Sequence, residues 1–138
     1  MEAHEAVTAA NEAFYRTIET LNIKEMEKAW LQADHIKCVH PGWPLLCGWG
    51  PIMASWERIF TSTQSMRFSL SDVRLEVSGT LGWAVLIENL DTHGPDGVSP
   101  AQILATSLFE QHDGQWFMVH LHASPIFAPP APAEGQLH

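Results

Sequence analysis

Apolar residues near the start of the chain recur at helical spacing. Ala6, Ala9, Ala10, Ala13, Phe14, Ile18 and Leu21 fall on one side of a 3.6-residue repeat, which predicts a first helix over roughly residues 2–21. Asn22 then offers a cap. Met26, Ala29 and Trp30 give a short second helix its apolar side, over roughly residues 24–31. The stretch "IKCVH" is short and rich in β-formers, "PGWP" breaks the chain, and "LLCGW" suits a second short strand. Pro51 fits the first turn of a third helix, where its missing N–H costs little. Ile52, Met53, Trp56, Ile59 and Phe60 supply the apolar face of that helix.

After residue 65 the period changes to two. "MRFSLSDVRLEV" alternates through Phe68 and Leu70, then through Val73, Leu75 and Val77, so a bulge is expected near Ser71 and Asp72. "GWAVLIENL" reads as a more fully buried strand and "THGPDGVSP" as a loop. "AQILATSLFEQ" and "QWFMVHLHAS" are strands joined by "HDG", a hairpin signal through Asp113 and Gly114. The ending "PIFAPPAPAEGQLH" is proline-rich and is expected to be an extended flap or disordered. The expected division is a domain over residues 1–126 and a tail over residues 127–138. Helices segregated from a meandering sheet make an α+β domain. The expected packing is a cone: a curved, mostly antiparallel sheet wrapped around the three N-terminal helices, with a cavity between its concave face and the helices.

At 138 residues the chain makes one domain, and 46% hydrophobic with 17% charged residues argues against disorder. Seven basic and sixteen acidic residues leave a net charge of −9. Such a surface repels phosphate backbones and anionic lipid, so neither nucleic acid nor a membrane is an expected partner. The acidic start "MEAHEAVTAANEAF" lacks the basic and apolar regions of a signal peptide, and no apolar run is long enough to span a bilayer. A cytoplasmic location is the expectation. Cys38 and Cys47 can lie on neighbouring strands; two free, buried thiols are expected rather than a disulfide or a metal site. No glycine-rich phosphate loop, nucleophile elbow or zinc pattern occurs, so no cofactor and no metal are expected.

Among chemically capable residues His40 leads. An imidazole titrates near neutrality, and burial among Trp43, Trp56, Phe14 and Trp30 keeps it neutral, as a base requires. The alternative is a core histidine bonded to a backbone carbonyl. His120 and His122 alternate with Leu121 and share one strand face with Trp116, Met118 and Ser124 unless a bulge intervenes. Asp34 and His35 follow the second helix, and Asp34 is expected to be an exposed loop residue. Trp30 and Trp83 suit the core; Trp43 and Trp56 suit a pocket wall. Glu57 and Arg58 are expected to face solvent, as are the helix glutamates, Glu12 and Glu19 among them.

The element order and the stretch "HPGWPLLCGWGPIMASWERIF" resemble the nuclear transport factor 2 superfamily, with its cystatin-like fold, and within it the SnoaL-like and ketosteroid isomerase-like branch. The ending "GQWFMVHLHAS" is similar to that branch's last strand, and the likeness covers roughly residues 4–126. In the ketosteroid isomerases an aspartate base precedes a proline; the matching dipeptide here is His40-Pro41. Their oxyanion-binding tyrosine lies on the first helix, where Tyr15 stands and Arg16 aligns about as well. Their protonated aspartate matches Thr106 or Ser107, which leaves no inward acid there. A histidine base with a tyrosine and further histidines resembles the scytalone dehydratase arrangement.

The resemblance implies a small apolar or aromatic ligand and a catalytic set of His40, Tyr15, His120 and His122. Phe14, Trp43, Trp56, Trp116 and Met118 are the implied ligand contacts. It also leaves two functions open. One is an isomerase or dehydratase in which His40 is the general base. The other is a non-catalytic ligand-sensing, dimerisation or assembly domain. A homodimer is expected, because the apolar residues on the convex face of such a sheet need cover.

Overall fold

Val7, Phe14, Tyr15 and Ile18 are the large side chains that one side of the first helix can bury, and they set its orientation. In a computed structural model, which describes residues 2–127, helix α1 spans Ala3–Glu19 and buries these four together with Asn11. Ala9 and Ala13, expected on that side, are exposed. The large side chains win because they remove more apolar area from water. Helix α2 spans Ile23–Ala29, and the Asn22 side chain accepts a hydrogen bond from the Lys24 N–H at 2.9 Å, an N-cap. The helix stops short of the expected end. Trp30 leaves it in an extended conformation and bridges to Met118, and the Leu31 N–H donates to the Met118 carbonyl at 3.0 Å.

Strands β1 (Lys37–Val39) and β2 (Leu46–Cys47) flank the "HPGW" turn, and helix α3 (Trp49–Thr61) follows with Pro51 in its first turn. Then come four long strands: β3 (Ser65–Ser78), β4 (Leu81–Gly94), β5 (Gly97–His112) and β6 (Gln115–Pro125). They form one six-stranded sheet in the order β2-β1-β6-β5-β4-β3.

The α+β class holds, but the cone does not. The sheet is open, neither closed nor strongly curled, with β2 and β3 as separate edges. It is also mixed, since β1 runs parallel to β6. Closure needs the two edges to pair, and β2 has only two residues to offer. The other edge is already covered. Arg16 donates to the Phe68 carbonyl at 3.0 Å, the Phe68 N–H donates to Glu19 at 2.7 Å, and the two side chains pair at 3.3 Å. Glu19 is thus an edge cover rather than a solvated helix residue. It blunts the unpaired strand edge that would otherwise template aggregation.

The bulge expected in β3 is present: the register shifts between Ser71 and Arg74. The hairpin after β5 is present too, with Asp113 and Gly114 both at positive φ, 51° and 78°, as a type I′ turn requires. "THGPDGVSP" is not a loop. Its ends extend the β4–β5 ladder to Gly94↔Gly97 and leave Pro95 and Asp96 as the turn. Cross-strand pairing overrides the turn residues there. Gly82 on β4 lies under α1, where a Cβ would come within 2.8 Å of Val7, so only glycine permits the approach. Cys38 and Cys47 lie on the neighbouring strands β1 and β2 and both are free thiols. Cys38 is buried, while Cys47, expected buried, is exposed. Trp83, expected in the core, is half-buried because it alternates out of phase with Ala84 and Leu86. From residue 128 onward, the expected tail falls outside the described residues.

Candidate functional site

His40 directly follows β1, two residues after Cys38, so alternation sends both side chains to the helix side of the sheet. Cys38 is fully buried and His40 is 4% exposed. The turn after it closes through the Trp43 N–H, which donates to the His40 carbonyl at 2.9 Å. This returns the Trp43 ring to 5.0 Å from the imidazole, centroid to centroid, and Trp56 on α3 approaches from another side at 4.7 Å. Arg58 stacks over Trp43 at 5.4 Å, and so does more than face solvent.

A cavity of about 260 Å³ opens beside the imidazole. His40, Trp43 and Trp56 form one wall; Met66 and Phe68 of β3, Glu88 of β4 and Leu121 of β6 form others. The lining is aromatic and apolar with a few convergent polar groups, the character of a small-molecule site. A larger open hollow of about 780 Å³ runs over β3, β4 and β5, but its amide side chains are already committed. Asn89 donates to the Ser69 carbonyl at 3.0 Å, and Gln102 donates to Asn89 at 2.9 Å.

Burial sets the charge state of the cavity. It lowers the His40 pKa to about 4, so the imidazole is neutral at neutral pH. It raises Glu88 to about 7, although the hydrogen bond from Tyr15 works against the rise. Tyr15 donates to Glu88 Oε2 at 2.6 Å, and burial with the Glu88 charge pushes its own pKa up. The proton of that bond therefore stays on the tyrosine. Cys38, 3.7 Å from His40 Nε2, is pushed by burial up to about 12 and stays a thiol.

Of the expected residues, the cavity brings His40, Trp43 and Trp56 together. Tyr15 is not on the wall but holds Glu88, which is. Phe14 lies behind Trp56 at 6.1 Å, in the core. Met118 is fully buried, packed where Trp30 crosses β6. Trp116 lies in a separate hollow between α1 and α2. His120 and His122 are on the opposite face of the sheet, beside Leu104, Thr106 and Ser124. The cause is a bulge: Leu108 pairs with His120 and Phe109 with Met118, so Val119 is an extra residue in β6. It puts Met118 and Leu121 on the buried side and turns His120 and His122 outward.

Asp34 is exposed and among the described residues its side chain bonds to no histidine, while His35 pairs with Glu110 at 2.9 Å. Among the described residues no cluster of three or more His, Cys, Asp or Glu side chains is placed to hold a metal ion. No helix among them is long and apolar enough to cross a membrane.

Glu88 is the residue that sequence reasoning missed. Ser107, matched to the acid position, is inward and fully buried but cannot ionise near neutrality. The acid comes from the neighbouring strand instead. Its signal was there in "GWAVLIENL": Gly82, Ala84, Leu86 and Glu88 share one phase, and a carboxylate in phase with a buried face is seldom idle.

A SnoaL-like domain family model matches residues 7–129. The F-box protein SKIP8 of Arabidopsis thaliana is 29% identical over 119 residues, which are 86% of this chain and 49% of that protein. The chain thus spans about half the length of the curated relative it matches. Among solved structures, a candidate dehydratase of the NTF2-like family from Streptomyces avermitilis superposes with a TM-score of 0.85 at 31% identity, covering 91% of this chain and 96% of that one. A candidate calcium/calmodulin-dependent protein kinase type II association domain from Thiobacillus denitrificans superposes with a TM-score of 0.77 at 30% identity, covering 87% and 94%. The chain belongs to the SnoaL-like domain family of the NTF2-like superfamily.

Proposed function

We propose that this chain is an isomerase or dehydratase acting on a small apolar or aromatic molecule, with His40 as general base and Glu88 as its acid partner. The observation that carries the proposal is that these two titratable side chains, one just after β1 and one on β4, line one apolar cavity. The Streptomyces avermitilis relative, described as a candidate dehydratase, supports the same reaction class. In dehydration, neutral His40 takes the proton next to a carbonyl. The C–O bond to the neighbouring hydroxyl then breaks as protonated Glu88 gives its proton to form water. In isomerisation Glu88 gives that proton to the carbonyl oxygen instead, and takes it back as protonated His40 returns its proton to the far carbon of the dienol. Tyr15 acts through Glu88 and is a positioning residue.

His40 must be unprotonated and Glu88 protonated for this. The rate kcat/KM on a responsive β-hydroxy ketone or enone is therefore expected to rise through about pH 4 and fall through about pH 7. Formation of product is followed by ultraviolet absorbance. His40→Ala and Glu88→Gln each lower kcat/KM by about 10²–10⁴-fold. Tyr15→Phe lowers it less and moves the falling limb to higher pH, because the lost bond favoured the Glu88 anion. Unchanged turnover in His40→Ala removes the mechanism.

The outer face of the sheet favours a second, compatible reading. Leu104 is 44% exposed there beside His120 and His122, and the Thiobacillus denitrificans relative is described as an association domain. On this reading two copies pair through their outer faces. Sedimentation velocity at micromolar concentration then gives twice the chain mass; a monomer throughout excludes it.

A further inference from the structure

The hydrogen bonds around His40 decide what a ligand must offer. Ser55 Oγ donates its single proton to the Ile52 carbonyl at 2.6 Å. His40 Nε2 lies 2.8 Å from the same oxygen. A hydroxyl has one proton to give and lone pairs to receive, so Nε2 must carry the hydrogen of this contact. The neutral ring then bears its lone pair on Nδ1. Among the described residues Nδ1 meets only the Cys38 sulfur, at 3.9 Å, and no oxygen or nitrogen.

Glu88 adds the second titratable group of the cavity. Oε2 is taken by Tyr15, and among the described residues Oε1 makes no hydrogen bond. Among the described residues the indole N–H of Trp56 also has no partner, but protein atoms seal it off. Among the described residues no lysine or arginine lines the cavity, and the chain carries a net charge of −9.

We infer that the ligand is an uncharged, single-ring hydroxyl compound, a phenol or enol, whose O–H donates to His40 Nδ1, and that Ser55 enforces this choice by fixing the tautomer. This rests on the small-molecule reading of the cavity given above. Size agrees: 260 Å³ is about nine water volumes, room for one substituted ring. A carboxylate finds no cation there. An ether leaves the Nδ1 lone pair with only the weak, distant Cys38 thiol as donor, and an unmade bond of that kind is what a polar pocket rejects.

The probes are para-cresol, its methyl ether and para-toluate, which share one ring and differ in the polar group. Dissociation constants come from titration of the full chain at pH 6, with the histidine ring nitrogens labelled with ¹⁵N. In the free protein His40 is expected as the Nε2–H tautomer, with an unprotonated Nδ1 signal. Para-cresol shifts that signal and binds at least tenfold more tightly than the ether, and para-toluate does not bind. Ser55→Ala mixes the tautomers and erases the preference for the phenol; Ser55→Thr restores both. A proton on Nδ1 in the free native protein overturns the inference without any variant. So does equal binding of the ether, and in both cases the cavity reading survives. If none of the three binds at millimolar concentration, the cavity reading and the inference fall together.

Discussion

His40 and His122 sit almost side by side. Val39 of β1 pairs with His122 of β6, and His40 is the next residue. Alternation sends His40 to the helix side and His122 to the other. His40 is 4% exposed between two tryptophans, and burial brings its pKa to about 4. His122 is exposed, in a shallow cluster of Leu104, Thr106, His120 and Ser124. His120, between these extremes, is lowered by burial and then by the charges of His122 and Lys37. One residue type at neighbouring positions thus meets two environments, and sheet face decides which. The inner face joins a neutral imidazole to an acid poised near neutrality; the outer face turns its two imidazoles away from the core.

The bulge at Val119 creates this contrast, so removing it should break the contrast most severely. Deleting Val119 forces one half of β6 to slip by one residue. That slip exchanges the faces of Leu121 and Ala123 with those of His120 and His122, or displaces Trp116 and Met118 instead. Either outcome buries polar groups and exposes core. The expected loss exceeds about 4 kcal/mol in urea unfolding, enough to leave the chain largely unfolded. Val119→Ala keeps the residue count and should cost only about 0.5–3 kcal/mol. A deletion as mild as the alanine variant means that the bulge is not what separates the two faces.

The same bulge explains how far the sequence could be read. Periodicity located all three helices and the long strands, because burying a large apolar set is the dominant local constraint. The resemblance placed His40, and the expected aromatic neighbours Trp43 and Trp56 are there. What the pattern did not carry was register. An extra residue in β6 has no signature in "WFMVHLHAS", where apolar residues fill both phases. The open sheet was equally hidden, since edge length and the Arg16–Glu19 cover depend on which strands meet. Glu88 was hidden for another reason: its role depends on Tyr15, seventy-three positions away in the chain.

A sharper comparison sets His40 against Glu88, whose contributions to stability oppose each other. His40 falls from 6.5 to about 4 on folding, so its share of stability is present above 6.5 and is lost as pH falls toward 4. Glu88 rises from 4.5 to about 7, so its share is present below 4.5 and is lost as pH rises toward 7. Each slope is about 1.4 kcal/mol per pH unit with opposite sign, and the two nearly cancel between pH 4.5 and 6.5. Either variant uncovers the other group. Relative to the native chain, Glu88→Gln should gain stability by up to about 3 kcal/mol as pH rises through this window, and His40→Asn should lose a similar amount. Chemical unfolding at half-unit pH steps measures both. Parallel profiles for the two variants would mean that the groups do not titrate as their burial requires.

The smallest effect belongs to the outer face, and its size is informative. His120→Asn with His122→Asn removes both outward imidazoles and leaves no large void. On an isolated chain the change should stay within about 0.5 kcal/mol, since neither ring supports the core. If two copies meet through Leu104 and these histidines, the outcome depends on concentration. Thermal midpoints of native and double variant then converge in dilute solution and separate as concentration rises, because only the paired state feels the substitution. His40→Asn should show no such concentration dependence, since the cavity lies on the other side of the sheet. A double variant that differs from the native chain equally at all concentrations would place the histidines in the monomer's own stability, and the proposed distinction between a working inner face and an associating outer face would lose its second half.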